Sequence, residues 1–166
     1  MTPEKRNDLA LSARDELRGN LLPYWTARAP SPDDDGFVGM FDHAEIVDPT
    51  QPRGMLLTAR ILWTYSAAHR HWQDDQYLTM AYRAWRDLMS SFWDEDHGGY
   101  IWSVSANGRP VEPVHQVYGE AFAIYGLSEY HLASGRAEAL DQAIEVYRLM
   151  DRHARVGQYG GFHELF

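Results

Sequence analysis

The chain repeats itself. Gly98-Gly99 in "DEDHGGYIW" and Gly160-Gly161 in "GQYGGFHEL" stand 62 positions apart, and the same offset holds upstream without a gap. It pairs Ala59 with Ala121, Ser66 with Ser128, His69 with His131, Leu78 with Leu140, Ala81 with Ala143 and Arg86 with Arg148. It also sets Trp63 against Tyr125 and Trp85 against Tyr147. A register held over a whole unit marks a repeated supersecondary unit whose exposed faces are buried by its neighbours. A fainter copy, "DDDGFVGMF" at 33–41, precedes the two clear ones.

Each unit predicts two helices. In the second of them, Leu78, Ala81, Trp85, Leu88 and Phe92 recur at helical spacing, and Leu140, Ile144, Tyr147 and Met150 repeat the pattern. One apolar stripe with polar residues elsewhere reads as an amphipathic surface helix. The first segments, "MLLTARILWTYSAA" and "VYGEAFAIYGLSEY", are apolar on most sides and read as helices enclosed by neighbours. The N-terminal segment carries one stripe too: Leu9, Ala13, Leu17, Leu21 and Tyr24. The order surface, enclosed, surface, enclosed, surface predicts a toroid, with the enclosed helices as an inner ring. Between the units, residues 100–105 alternate and end in Asn107-Gly108, a hairpin-turn signal. Five helices do not close such a double ring, and "GGFHELF" stops where the next inner helix should be approaching. The expectation is the front part of a longer protein.

Composition narrows the function classes. The net charge is −9 with no basic run, which argues against a nucleic-acid surface. There is no cysteine, so no disulfide, thiolate metal site or cysteine nucleophile is expected. The first twenty residues are charged throughout, without the apolar core of a signal peptide, and no run approaches a membrane span. The expectation is a soluble cytoplasmic protein. Aromatic residues at 13 % supply core and also line pockets for ring-shaped ligands.

No nucleophile elbow, Walker A, dinucleotide fingerprint or H-E-x-x-H is present. "DEDHGG" resembles the start of an EF-hand loop, but the twelfth position from Asp94 is Ser105, not Glu. Its glycines read instead as a turn with positive φ. None of the eight histidines has metal-ligand spacing. His69 and His131 are repeat partners and read as scaffold; His153 suits the end of an outer helix; His115 precedes an inner helix at a mouth of the ring.

Arg60 is the chemical anomaly, a permanent charge in the apolar segment "GMLLTARILWTYSAA". Arginine is rarely buried without a partner. One reading pairs it internally with Glu120 or Glu129 on the other inner helix. The other turns it into the central cavity, where its donors bind ligand oxygens. Tyr118, one turn into the second inner helix, reads as core packing or as cavity lining.

The segments "RGMLLTARILWTYSAAHRHW", "FWDEDHGGYIWSVSANGRPVEPVHQVYGEAFAIYGLSEYHLASG" and "YGGFHELF" resemble the N-acylglucosamine 2-epimerase superfamily, nearest its cellobiose 2-epimerase branch. The resemblance implies an all-α (α/α)6 barrel. Residues 1–166 would be a single partial barrel domain, the N-terminal portion of a longer catalytic domain. It implies a cofactor-free, metal-free enzyme that acts on a small-molecule sugar and inverts C2 through ring opening and a cis-enediol, with histidines as general acid and base. Arg60 would lie at the sugar oxygens, Tyr118 near the same site, and Phe122 along the cavity. The family's proton-carrying histidines follow the G-G-[FY]-x-E motif, so no catalytic residue is expected within this chain. Mannose isomerase or N-acylglucosamine 2-epimerase activity are the alternatives, as is an inactive helical sugar-binding fragment.

Overall fold

The computed structural model describes residues 1–32, 36–157 and 160–166. Asp33–Asp35 of the faint first copy, and Gln158 and Tyr159 of the last, lie outside the described residues.

The predicted period is the period of the fold. Helix α1 (Pro3–Glu16) passes through a π-turn at Leu17–Leu21 into α2 (Leu22–Arg28). Then come α3 (Met55–Trp72) and α4 (Asp75–Asp87), the latter ending in a second π-turn, Leu88–Phe92. After the hairpin come α5 (Val117–Ser134) and α6 (Ala137–His153). Helices α3 and α5 both have 18 residues and begin 62 positions apart, and α4 and α6 also begin 62 positions apart. Their turns are built alike. Gln73 closes α3 at φ 54° and Gly135 closes α5 at φ 73°. His69 Nδ1 meets the Asp74 carbonyl at 3.0 Å, and His131 Nδ1 meets that of Arg136 at 2.8 Å. Both histidines thus hold an interhelical turn, the scaffold role expected of repeat partners.

α3 and α5 lie side by side. The pairs Met55–Gly119, Trp63–Tyr125 and Arg70–Glu129 ascend together along both helices, which makes them parallel. Close approach depends on a missing side chain: a Cβ on Gly126 would lie 2.7 Å from the Ala59 carbonyl oxygen. α4 packs on α3 and α6 on α5, on the far side from the open inner face. The core between these layers holds Leu62, Leu88, Phe92, Leu127, Tyr130 and Val146. Each such side chain contributes about 1.5–3 kcal/mol by leaving water. Alanines at 59, 81, 84, 123, 139 and 143 let the helices come close.

The Asn107-Gly108 signal marks a real hairpin. β2 (Ser103–Val104) pairs antiparallel with β3 (Pro110–Glu112), and β1 (Arg53–Gly54) adds to its other edge, giving the order β1-β2-β3. The glycine-pair turns also repeat. Bridges Trp93–Tyr100 and Arg155–Phe162 close them, with Pro30–Phe37 as the copy in the first unit. Gly98, Gly99, Gly160 and Gly161 all take positive φ, 71–85°, so the turn reading of "DEDHGG" holds. Asp94 Oδ1 accepts the amides of Asp96 and His97, as a turn-capping carboxylate does.

Two expectations change. No residue of α1 is buried, and its stripe lies open: Leu9, Leu17 and Leu21 are exposed. Packing starts at Leu22 in α2, where Thr26 Oγ1 meets the Tyr65 hydroxyl at 2.9 Å. The inner helices are not enclosed all round either. Leu57, Arg60, Tyr118 and Tyr125 are exposed on their shared inner face. Apolar residues on most sides of a helix fix its composition but not which side meets a neighbour.

Candidate functional site

Two places concentrate chemistry. The first is the open inner face of α3 and α5. Tyr118, half-exposed, meets Phe122 edge to face with centroids 5.1 Å apart. Phe122 meets Tyr125 at 6.4 Å, and Tyr125 stacks on Trp63 of α3 at 5.0 Å and 15°. The result is an aromatic run from the first turn of α5 across to α3. The Tyr118 amide donates to Glu164 Oε1 at 3.3 Å, so the last glycine-pair loop caps the helix that carries Tyr118. α5 has no side-chain cap of its own.

Arg60 projects from α3 at the position that Phe122 occupies on α5, one repeat on. It is exposed and lines a cleft of about 470 Å³ with Leu21, Trp25, Met40, Leu57 and Thr64. Tyr118 and Phe122 touch each other, and neither lines that cleft. The internal ion pair considered for Arg60 is not formed: Glu120 bonds His115, and Glu129 pairs with Arg70 at 2.6 Å.

Among the described residues, the buried guanidinium is instead Arg53, two positions ahead of α3. It is 6 % exposed, and its Nη1 donates to Asp87 Oδ1 at 2.9 Å, with Ser91 Oγ at 3.3 Å from Nη2. Thr58 Oγ1 reaches the other Asp87 oxygen at 3.4 Å. No local pattern marks Arg53 as buried. The available signal is the repeat, because Arg53 and His115 occupy equivalent positions and both head an inner helix.

His115 is the centre of the second place. It is 8 % exposed, with Nδ1 3.0 Å from Glu120 Oε1 and Nε2 3.2 Å from Asp94 Oδ2. Glu120 Oε1 also accepts the Tyr100 amide at 2.8 Å, and Asp94 Oδ2 also meets His97 Nδ1 at 3.0 Å. Glu120 is fully buried. Gly99 makes room: a Cβ there would lie 2.6 Å from Glu120 Oε1 and 3.0 Å from His115 Nδ1. Gly36 does the same for Arg53, at 1.7 Å from Nη1.

The electrostatics follow from these contacts. Glu120 beside it, and then Asp94, raise the His115 imidazole despite burial. Burial pushes the Glu120 carboxyl up, against the pull of His115 and the Tyr100 amide. Burial also works on Asp94, but donors from His97, His115 and two backbone amides outweigh it and hold that carboxyl at about 2. Asp94, His97, His115, His153 and Phe166 border a cavity of about 930 Å³. Among the described residues, no group of three or more His, Asp or Glu is placed to hold a metal ion, and no helix is long and apolar enough to cross a membrane.

Known proteins share this architecture. A cellobiose 2-epimerase from Bacteroides fragilis is 41 % identical over 149 residues, 90 % of this chain and 38 % of the relative. The structure of cellobiose 2-epimerase from Spirochaeta thermophila superimposes with a TM-score of 0.93 at 36 % identity, over 99 % of this chain and 40 % of that one. That from Bacillus thermoamylovorans B4167 gives a TM-score of 0.92 at 31 % identity, over 96 % of this chain and 41 % of that one. The chain therefore spans about two fifths of the length of these relatives, and its helices are part of an (α/α)6 barrel. Residues 36–166, from the first glycine turn through both complete repeats, match the N-acylglucosamine 2-epimerase (GlcNAc 2-epimerase) family, a family of sugar epimerases, and the chain belongs to it.

Proposed function

We propose that this chain is the N-terminal part of a sugar 2-epimerase of the cellobiose 2-epimerase kind, inverting C2 of a reducing-end glucose. The observation that carries this reading is the 41 % identity to a cellobiose 2-epimerase across 90 % of the chain. The site geometry supports it from a second direction. Arg60 stands exposed on the inner face, with no carboxylate of α5 drawn to it.

The chemistry assigns each residue a role. Removing the proton at C2 of the opened sugar leaves an enediolate with negative charge on its oxygens. The Arg60 guanidinium, a fixed fork of donors, stabilises that charge. Tyr118 and Phe122 present rings and one hydroxyl along the same face, where a sugar packs its C–H side on an aromatic surface. Inversion needs a proton carrier on each face of C2. None of the eight histidines here matches the family's carriers, so the proton-transfer half of the site lies outside this chain. On its own the chain is inactive. The aromatic hairpin at 100–112 favours a disaccharide over a free monosaccharide.

Proton NMR of cellobiose in D2O tests this. A full-length protein carrying this chain should exchange the C2 proton and produce mannose at the reducing end. This chain alone should leave the C2 signal intact. Exchange by the chain alone would overturn the placement of the proton carriers. Conversion of mannose or N-acetylglucosamine, with cellobiose untouched, would move the substrate to a monosaccharide.

A further inference from the structure

We infer that His115 is a proton-operated latch between the Asp94–Gly99 turn and the first turn of α5. A neutral imidazole carries one N–H and one lone pair, yet both ring nitrogens of His115 face carboxylate oxygens, at 3.0 and 3.2 Å. Only the doubly protonated ring donates to both. In that state the ring ties Glu120, on the helix, to Asp94, at the head of the turn.

The two bonds are unequal. Among the described residues, Glu120 Oε2 is buried without a hydrogen-bond partner, so the carboxylate depends on His115 and the Tyr100 amide at Oε1. Asp94 has other donors: His97 and the amides of Asp96 and His97. A ring with one proton therefore keeps it on Nδ1, toward Glu120. Its Nε2 lone pair then faces Asp94 Oδ2, and the repulsion drives the turn away from α5. The titratable groups that share the cavity lining with His115 are Asp94, Glu95, Asp96, His97 and His153, the last stacked on Phe166 at 6.4 Å. Phe166 itself covers His115 at 5.7 Å.

The preceding unit supplies the contrast. Its equivalent position holds Arg53, which does not lose its proton and bonds a fixed acid, Asp87. One unit has a permanent lock and the next a titratable one, in the same place of the fold.

The test needs only the chain, labelled with nitrogen-15. Imidazole nitrogen shifts are followed over about pH 5 to 9, the range in which histidine exchanges its charge. Amide exchange is followed at Gly98, whose N–H donates to the Asp94 carbonyl at 2.8 Å. His115 should lose its second proton at a higher pH than an ordinary histidine does, and then become the Nδ1–H tautomer. In the same step, protection at Gly98 should fall about tenfold beyond the intrinsic rise with pH, the effect of one hydrogen bond. The step should vanish in His115→Arg and persist in His97→Gln. Titration of His115 with no change at Gly98 overturns the latch, as does a step that survives in His115→Arg. The wild-type titration decides alone if a variant does not fold.

Discussion

Arg53 and His115 stand in the same place of successive units, yet each meets its buried carboxylate on a different element. Arg53 bonds Asp87 of α4 at 2.9 Å; His115 bonds Glu120 of α5 at 3.0 Å. One repeat after Asp87 the chain has Leu149, and one repeat before Glu120 it has Thr58. The acid has moved from the outer helix to the inner one, and the cation at the joint has stayed. Each unit keeps a buried polar joint between its glycine turn and its inner helix, built from different residues.

That joint predicts the cost of breaking it. Asp87→Ala leaves the Arg53 guanidinium buried beside Phe92 without its acid. Stability should fall by about 3–5 kcal/mol, as for other buried pairs that lose one member. Denaturant unfolding of the two proteins measures it.

The two glycines of the turn separate backbone strain from steric conflict. Both have positive φ, but a Cβ on Gly98 meets nothing within 4 Å, whereas one on Gly99 meets Glu120, Leu149 and His115. Gly98→Ala should cost about 1–2 kcal/mol, the price of a left-handed conformation with a Cβ. Gly99→Ala should cost more and also disturb the His115 ring signals. Equal melting-point losses would remove the packing argument.

Acid stability should depend on Asp94. Its folded carboxyl lies at about 2 against an ordinary 3.8. A depressed carboxylate contributes stability that is present above its unfolded value and lost as pH falls through the folded one. Between those two values the wild type should weaken progressively, and Asp94→Asn should start weaker and show a shallower slope there. His115, shifted up, contributes with the opposite sign: its share is present below the ordinary histidine value and is lost as pH rises. Chemical unfolding at a series of pH values reads both limbs.

Arg60 should separate function from stability. It is exposed, so Arg60→Ala should change stability by no more than about 0.5 kcal/mol. If the full-length protein has the proposed epimerase activity, the same change should lower its kcat by about a hundredfold or more, as loss of a donor to an oxyanion does. A large stability loss with near-normal turnover would return Arg60 to a structural role.

Much of the fold was legible. The 62-residue offset placed both inner helices, both outer helices and their turns, and the Asn107-Gly108 pair marked the hairpin. These signals are local: apolar spacing, a glycine at positive φ and a turn dipeptide act over a few residues. The resemblance supplied the family. Less of the site was legible. Arg60 drew attention because it breaks an apolar run, and His115 read as a histidine at a mouth of the ring, within reach of ligand. Neither reading foresaw a buried Arg53, or a His115 held between two acids.

By itself, the sequence determined the unit and its period, because each repeat carries its own helix and turn signals and therefore folds the same way twice. Only the tertiary structure decided which charges are buried. Arg53 is enclosed by Gly36, Asp87 and Ser91, and His115 by Asp94, Gly99, Glu120 and Phe166. Most of these partners lie many residues away along the chain. Burial is a property of neighbours, and a stretch of sequence does not name the remote neighbours that will enclose it.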